Sequence, residues 1–412
     1  FSLMPFFENL SAPLATHKDI RNAKTIILIG GEPEELQPLT GRQIRQAVRN
    51  GGAKLIIINS VPIRLKQGAT HFVHIRPGAE DAAVMAVAAP SVDETGARKM
   101  GVEMKEVESL RRAIDEAQGD VVVMFGGELS AAAQSVLAQM PASLGEKEGR
   151  RFLFHPLPLF NNSLGVHDIG LMSGNFSVGQ MLDAAGDTLR ALYVAGSLLP
   201  EHLEGRGDSL AKLDFLVVQE LFATETTAHA DVVLPAASFA EVDGTFTNND
   251  GLVQRVRQSI PPVPQSKPDW LITSLLAEAL GTDFNYQMSA SAVFREMAER
   301  VPAYEGLRYP LLKDETNPVQ AKYKLAGRRD ATSLMEKLRQ SVEKLSDAGE
   351  KLSETPPVGH ELFRPGTLTG KVPQFHLLAA GNPEPPDVLV SPLYQITLDA
   401  NLRREPVATA GD

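Results

Sequence analysis

Two glycine-rich turns are the first candidates for chemistry in this sequence. Gly30–Gly31–Glu32–Pro33 and the segment from Gly196 and Ser197 to Pro200 each follow an apolar run, where backbone N–H groups and a helix start can hold a phosphate. Neither turn is a GxGxxG or Walker A loop. Glu32, Glu34 and Glu35 would repel an anion unless a cation or an arginine paired with one of them. A plain tight turn is therefore the favoured interpretation, with phosphate binding as the alternative.

Histidines offer weaker candidates. The nine histidines form no HxxxH or HExxH motif, so the sequence predicts no metal site. His167 beside Asp168 and His229 near Asp231 could be imidazole–carboxylate pairs, although neither has a nucleophile nearby in the sequence. Structural histidines are the favoured interpretation.

Four carboxylates surround the apolar run 231–234. Glu220, Glu225, Glu241 and Asp243 could supply a general acid and a base if one of them were buried. Their density is also that of ordinary loops at the carboxyl edge of a sheet. The polar segment 245–251 is likewise either a ligand-contacting loop or a plain turn. These residues form no complete catalytic constellation, and we predict no catalytic residue.

Composition excludes several classes of site. The 412 residues include no cysteine, which rules out disulfides, thiol nucleophiles and thiolate-bound zinc or iron–sulfur sites within this sequence. The net charge of −11 argues against nucleic acid as a partner, since a phosphate backbone would be repelled. No stretch approaches 18 uninterrupted apolar residues, so we expect no direct membrane insertion.

Alternating strands and helices must position these turns. Strands are predicted at 25–29, 54–58, 72–75 and 121–125, helices at 40–50, from 80 onward and at 106–118, and a polar loop at 90–99. Runs that are apolar at every position indicate strands buried on both faces, as in a parallel sheet. The strand–glycine–helix rhythm favours a doubly wound α/β architecture.

The same rhythm resumes after the Asn- and Gly-rich loop 161–179. Strands are predicted at 189–194, 215–218 and 231–234 and a helix at 270–280, which places a domain boundary near residue 160. Beyond residue 330, a helical stripe predicts core packing or, less often, a docking face; its members are Leu334, Leu338, Val342 and Leu345. The Pro-rich residues 356–412 are predicted as an extended C-terminal arm or the remnant of a β domain, with β-like pieces at 375–378 and 394–398.

The segment from Thr224 to Asn248 resembles the molybdopterin oxidoreductase superfamily. Its sequence is TETTAHADVVLPAASFAEVDGTFTN, against a family pattern of ETA, ADVVLP and E-x-x-G-T-F-T-N, with Thr227 in place of the alanine. The segments GGEP, RPGAEDAA, FNNSLGVHDIG and LRALYVAGSLLP match in the family's order, so the resemblance covers about residues 20 to 280. It implies two doubly wound α/β domains of the formate dehydrogenase-like type, one inserted within the other.

Within that superfamily the sequence is most similar to the large iron–sulfur subunits of NADH–quinone oxidoreductases, through GTFTN and the following Gly251–Leu252–Val253–Gln254. By that resemblance residues 20–160 form the inserted Rossmann-like domain, and residues 161–355 complete a second domain whose first strands lie upstream. Iron–sulfur clusters are implied in that upstream part and no cofactor in this sequence. The implied partners are other subunits of the respiratory complex, on the inner, cytoplasmic face of the bacterial plasma membrane.

Active members of the superfamily hold a guanine-dinucleotide molybdopterin on a GxNP turn, an Asp-Pro-Arg turn and a polar GxxP turn. Here Glu32 replaces the Asn of the first turn, Asn59–Ser60–Val61–Pro62 lacks the acid and the arginine of the second, and Leu198–Leu199 makes the third apolar. Leu252 stands where an arginine is common, which removes a phosphate partner. Losing a cation and gaining an acid both disfavour a pyrophosphate. The resemblance thus marks a vestigial dinucleotide cleft formed by Gly30, Gly31, Glu32, Asn59, Ser60, Gly196, Ser197, Thr224 and Asn248.

The leading expectation from the sequence is a cofactor-free scaffold that supports respiratory electron transfer from NADH to quinone. An active molybdopterin-dependent oxidoreductase of the formate dehydrogenase or nitrate reductase type, with its metal ligand upstream, is the alternative. A module that binds a small anion or a nucleotide is the second alternative.

Overall fold

The computed structural model describes residues 3–343, apart from 90–93, 146, 172–176, 199, 264, 287, 314–317 and 330. Contacts group the described residues of 1–173, 246–254 and 296–364 into a first unit, and those of 174–245 and 255–295 into a second. The units interleave along the chain, whereas the sequence predicts one division near residue 160; the ranges 20–160 and 161–355 stay predictions. The arm 356–412 and its β-like pieces lie outside the described residues.

Helices and strands alternate through both units. In chain order they are α1 (Met4–Glu8), α2 (His17–Asn22), β1 (Thr25–Ile29), α3 (Pro33–Leu36), α4 (Pro38–Gly51), β2 (Lys54–Asn59), β3 (His71–His74), α5 (Glu80–Ala88), α6 (Glu94–Met100), α7 (Met104–Asp115), β4 (Gly119–Phe125), α8 (Ala131–Ala138), α9 (Met140–Leu144), β5 (Arg150–Pro156), α10 (Ser163–Asp168), α11 (Val178–Asp183), β6 (Ala191–Ala195), α12 (Pro200–Leu203), β7 (Phe215–Glu220), α13 (Glu225–Ala228), β8 (Val232–Pro235), β9 (Gly244–Thr247), β10 (Leu252–Val256), α14 (Asp269–Ala279), α15 (Ala290–Arg300), β11 (Val319–Gln320) and α16 (Ala331–Glu343). Short 3-10 helices lie at Arg64–Gly68, Leu210–Lys212, Pro302–Tyr304 and Tyr309–Lys313.

The first unit is built on a five-stranded sheet of order β3-β2-β1-β4-β5. Every neighbouring pair in it is parallel. All five residues of the central strand β1 are buried, and they alternate between two cores: Ile27 and Ile29 face one, Ile26 and Leu28 the other. This two-sided burial is why residues 26–29 of the strand are all apolar, and it confirms the predicted α/β class with a parallel sheet.

Helix termini follow the local chemistry of the chain. The Thr16 hydroxyl accepts the Asp19 N–H and the Asp19 carboxylate accepts the Thr16 N–H, so α2 begins with a capping box. Helix α4 begins at Pro38, and Gly52 with φ +65° follows its end. In α16, Leu338 and Val342 of the predicted stripe are buried in the same cluster as α5 and α8 and Leu334 packs against it, whereas Leu345 lies outside the described residues.

Two differences from the predictions concern α6 and β5. The polar loop predicted at 90–99 is wrong for residues 94–99, which belong to α6; this helix buries Ala97 and Met100, and residues 90–93 lie outside the described residues. Strand β5, absent from the sequence predictions, pairs with β4 over its full length and forms one edge of the sheet. Its sequence, RRFLFHP, opens with two arginines and closes with a proline, so its apolar run is short.

The second unit contains a three-stranded parallel sheet of order β6-β7-β8. A further sheet has the order β11-β10-β9, with β10 and β11 antiparallel. Among the helices that the structure describes, none combines the length and the apolar character needed to cross a membrane.

Candidate functional site

The Gly30–Gly31 turn follows β1 at the carboxyl edge of the five-stranded sheet. Both glycines have a positive φ, +66° and +69°. The Gly30 N–H donates to the carbonyl of Ile58 at 2.9 Å, and the Gly31 N–H donates to Glu128 Oε1 at 3.1 Å. Strand β4 lies next to β1, so the turn after β4 brings Glu128 to this edge. A carboxylate of the chain itself therefore takes the amide that a bound phosphate would use.

The Asn59–Ser60 turn is closed by its own hydrogen bonds. The Asn59 side chain is 2 % exposed; its Nδ2 donates to the Gly31 carbonyl and its Oδ1 accepts the Val61 N–H, both at 2.9 Å. The Ser60 carbonyl lies 3.0 Å from His74 Nε2. Asn59 thus braces the turn after β1 from the end of β2.

The acids after the first turn pair in part with arginines. Glu34 pairs with Arg45, and Glu35 lies 3.4 Å from Arg64. The sequence predicts that these acids repel an anion unless an arginine pairs with one of them. Two such arginines are present, so the expected repulsion is weaker. Glu32 and Glu128 are further carboxylates at the turn, and Glu128 is not predicted from the sequence around it.

In the second unit the Gly196–Ser197 turn follows β6, and Gly196 has φ +91°. The Ser197 hydroxyl donates to Glu220 Oε2 at 2.5 Å and lies 2.7 Å from Thr224 Oγ1. The Leu198 N–H donates to Thr226 Oγ1 at 3.0 Å. The polar groups of this turn are therefore bonded to the end of β7 and to the start of α13, where Thr224 is the N-cap.

A second carboxylate lies near this turn. The Gln219 side chain donates to Asp269, which begins α14. Burial raises the pKa of Asp269, and the nearby Glu220 raises it further. Two acids at the carboxyl edge of β6-β7-β8 disfavour an anion there.

Of the other carboxylates named from the sequence, Glu241 and Asp243 have structural partners, whereas Glu225 is exposed in the first turn of α13. Glu241 is 1 % exposed and accepts the backbone N–H groups of Ser238 and Val263, at 2.8 and 2.9 Å. Asp243 forms a two-bond ion pair with Arg255. Hydrogen bonds to a carboxylate stabilise its charged form, so Glu241 has an evident structural role without acid–base chemistry.

Asn248 shapes the turn between β9 and β10. Its Oδ1 accepts the backbone N–H groups of Asp250 and Leu252, both at 3.0 Å. Gly251 completes the turn with φ +75°. The residue expected to line the vestigial cleft therefore acts as a turn builder, and it fixes the position of Asp250.

The His167–Asp168 pair is packed inside the first unit. Burial raises the pKa of Asp168 to about 6, although hydrogen bonds from Tyr304 and Tyr323 oppose the rise. The Tyr323 hydroxyl donates to Asp168 Oδ2 at 2.9 Å. The His167 ring stacks on Phe7 with centroids 4.5 Å apart, and burial lowers its pKa to about 4. In the other sequence pair, Asp231 accepts the Leu216 N–H and His229 is exposed.

The structure brings together a group of side chains that the sequence analysis does not find. His17, His155 and Asp250 lie in the first unit with one donor atom from each within 4.8 Å of the others. Their wide separation in the chain hides them from motif spacing. A prediction of strand β5 would have placed His155 at the carboxyl edge of the sheet, and this is the signal from which the group could have been located.

Comparison with known proteins gives the family context. The family model described as molybdopterin oxidoreductase matches residues 8–279. The F420-dependent formate dehydrogenase subunit alpha of Methanocaldococcus jannaschii is 28% identical over 363 residues, which are 72% of this chain and 53% of that protein. The putative formate dehydrogenase YrhE of Bacillus subtilis is 26% identical over 367 residues, 72% of this chain and 37% of that protein. The chain thus spans about half or less of these relatives.

A solved structure shows the same fold. Acetylene hydratase from Pelobacter acetylenicus superimposes with a TM-score of 0.55 at 13% sequence identity, covering 79% of this chain and 55% of that protein. At this identity the likeness concerns the fold alone.

Proposed function

The chain belongs to the molybdopterin oxidoreductase family, and we propose that it is a cofactor-free scaffold region of a larger electron-transferring subunit. The observation that carries the proposal is the Glu128 carboxylate on the Gly31 amide. We propose the large iron–sulfur subunit of an NADH–quinone oxidoreductase as the parent protein, with other subunits of that respiratory complex as partners. Its iron–sulfur clusters would lie outside this sequence, which has no cysteine.

The residues of the two glycine turns do not fit the dinucleotide cofactor of the family. In the first unit, Gly30 and Gly31 donate their N–H groups to Ile58 and Glu128. A phosphate placed there would meet the Glu128 carboxylate, and bringing two anions together away from bulk water is strongly unfavourable. In the second unit, the Ser197 hydroxyl donates to a carboxylate and the Leu198 N–H to Thr226.

The same contacts support a scaffold role. Asn59 ties the turn after β1 to the end of β2, and Glu128 ties it to the end of β4. These bonds fasten the carboxyl edge of the sheet, which is the edge that α/β proteins use for ligands. An edge that is closed by its own side chains is suited to support neighbouring polypeptide and not to bind a substrate.

A second candidate is a molybdopterin-dependent oxidoreductase of the formate dehydrogenase type. The sequence relatives favour it, since the M. jannaschii protein is a formate dehydrogenase subunit and the B. subtilis protein is named a putative formate dehydrogenase. The sequence relatives therefore favour the second candidate, and the chemistry of the turns favours the first. A small-anion or nucleotide-binding module is the third, and the charge at the turns argues against it.

Metal and pterin analysis of the full-length protein separates the candidates. The scaffold proposal expects molybdenum and tungsten well below one equivalent per chain and no pterin fluorescence after oxidative release. One equivalent of either metal together with its pterin would overturn it and support the formate dehydrogenase type. Thermal-shift measurements with pyrophosphate and GDP test the third candidate; the scaffold proposal expects no shift with either compound.

A further inference from the structure

Three residues from distant parts of the chain meet inside the first unit. His17 is the first residue of α2, His155 lies near the end of β5, and Asp250 lies in the turn between β9 and β10. His155 and Asp250 are buried, while the His17 side chain is 33% exposed. The group therefore lies at the boundary between the core and the solvent.

The Asp250 carboxylate faces both imidazoles. Its Oδ2 lies 3.5 Å from His17 Nδ1, and its Oδ1 lies 3.8 Å from His155 Nδ1. Oδ2 also accepts the backbone N–H of His17 at 2.9 Å. Among the described residues Oδ1 has no hydrogen-bond partner, although the side chain is only 3% exposed. A buried carboxylate oxygen without a partner is costly, which indicates that a further positive group binds there.

The spacing and the donor types fit a metal ion. Zinc bonds of about 2.0–2.1 Å to nitrogen and oxygen place neighbouring donors of a tetrahedron about 3.3–3.4 Å apart. Here the imidazoles lie 3.5 and 3.8 Å from the two oxygens of Asp250, and one donor atom from each residue lies within 4.8 Å of the others, so the side chains must draw together slightly around an ion. Two imidazoles and one carboxylate suit zinc and similar divalent ions, whereas magnesium and calcium prefer oxygen donors alone. We propose that His17, His155 and Asp250 bind a divalent transition-metal ion of the zinc type, with the fourth position open to water.

The surroundings of His17 support this assignment. Its Nε2 lies 3.1 Å from the hydroxyl of Thr40, which is 2 % exposed. A ring that donates from Nε2 to a hydroxyl presents the lone pair of Nδ1 to the Asp250 carboxylate. Metal-binding histidines are held by this kind of hydrogen bond from the other ring nitrogen.

His155 requires one proton movement. Its Nδ1–H donates to the carbonyl of Ala15 at 3.0 Å, and its Nε2 lies 3.5 Å from the Asn249 amide. Binding through Nδ1 moves that proton to Nε2 and requires the ring to turn, so that Nδ1 faces the ion beside Asp250 in place of the Ala15 carbonyl; the ring stays neutral.

The bound ion joins three segments of the first unit. It links the start of α2 and the β9–β10 turn to the carboxyl end of β5, an edge strand of the five-stranded sheet. Sequence separations of 138 and 95 residues lie between successive ligands. A cross-link that closes such long loops stabilises the fold mainly by restricting the unfolded chain.

Cobalt titration of the metal-free protein tests the site, because tetrahedral Co²⁺ absorbs strongly in the visible. We expect one equivalent of Co²⁺ per chain, displaced by Zn²⁺, and a rise of Tm with Zn²⁺. His17→Ala and Asp250→Asn should each weaken binding by more than about 100-fold, since even the neighbours of a ligand contribute about 10–100-fold. His229→Ala is the matched control, because His229 is exposed and lies in the second unit.

The outcomes separate the proposal from surface binding. His17→Ala keeps the buried residues intact, so a folded variant is expected, and circular dichroism checks it. If Asp250→Asn fails to fold, His17→Ala carries the test alone. A weak octahedral spectrum, binding at no fixed stoichiometry, or affinity in His17→Ala equal to that of the unaltered protein would overturn the proposal.

Discussion

Both backbone N–H groups of the Gly30–Gly31 turn have partners within the first unit, the Ile58 carbonyl and the Glu128 carboxylate. The glycines are needed for the positive φ of the turn, so their presence alone indicates backbone geometry and not a ligand. What differs from a phosphate-binding turn is the acceptor, and this acceptor lies 97 residues along the chain. The sequence around the turn predicts the bend but cannot predict Glu128.

The partners of polar turn residues are also difficult to predict from the sequence. The family pattern places Asn59 and Asn248 in a vestigial cleft, and in the structure the Oδ1 of each accepts backbone N–H groups of its own turn. An asparagine that bonds its own backbone is common in turns. His17, His155 and Asp250 show the reverse case, in which no local pattern exists and only the fold brings the donors together.

Asp168 provides a residue-scale prediction on stability. The folded protein holds its pKa at about 6, above the ordinary 3.8, so ionising this carboxyl opposes folding. The cost is absent at low pH, grows as pH rises from about 4 to about 6, and is constant above that. Asp168→Asn removes it while keeping an acceptor for the Tyr323 hydroxyl. The variant should therefore gain stability relative to the unaltered protein by up to about 3 kcal/mol between pH 4 and pH 7.

Urea unfolding of both proteins across that pH range measures this difference. Asp187→Asn is the control, because Asp187 is exposed, and its difference from the unaltered protein should stay flat. A stability difference for Asp168→Asn that does not change with pH would show that burial does not set the protonation of this residue.

At the scale of elements, strands buried on both faces were the most predictable. β1 and β2 are apolar at nearly every position, and the predicted bounds agree with the observed ones to within one residue. β5 was missed because it is an edge strand that begins with two arginines and ends with a proline, and its pairing with β4 depends on the rest of the sheet. Missing β5 also hid His155, one of the three residues of the proposed metal site.

Helix α16 gives the element-scale prediction. Leu338 is fully buried in the cluster that contains α5 and α8. Leu338→Ala should lower the free energy of unfolding of the first unit by about 2–5 kcal/mol, through lost burial and the cavity that remains. Gln340→Ala, on the exposed side of the same helix, should change it by less than about 0.5 kcal/mol. Denaturant unfolding of both variants checks this, and equal effects would show that α16 is not part of the core.

At the scale of the whole molecule, the sequence predicts two α/β units but not how the chain passes between them. The first unit recruits residues 246–254 from the middle of the sequence, which is how Asp250 comes to lie beside His17 and His155. Periodicity reports the type of each element, whereas the order in which distant segments join depends on packing that no local window contains. The family resemblance supplied part of that long-range information.

Because each unit has its own hydrophobic core, a substitution in one core should destabilise that unit and leave the other unchanged. Ile57 is fully buried in a core of the first unit, and Leu216 is 1 % exposed in the core of the second. Ile57→Ala should speed native-state hydrogen exchange of the β2 amides and leave the β7 amides unchanged, because each substitution costs about 2–5 kcal/mol in its own core. Leu216→Ala should do the opposite, so each variant is the control for the other. If either substitution accelerated exchange equally in β2 and β7, the two units would open as one cooperative structure, and the stability of the proposed metal site would then depend on the whole chain.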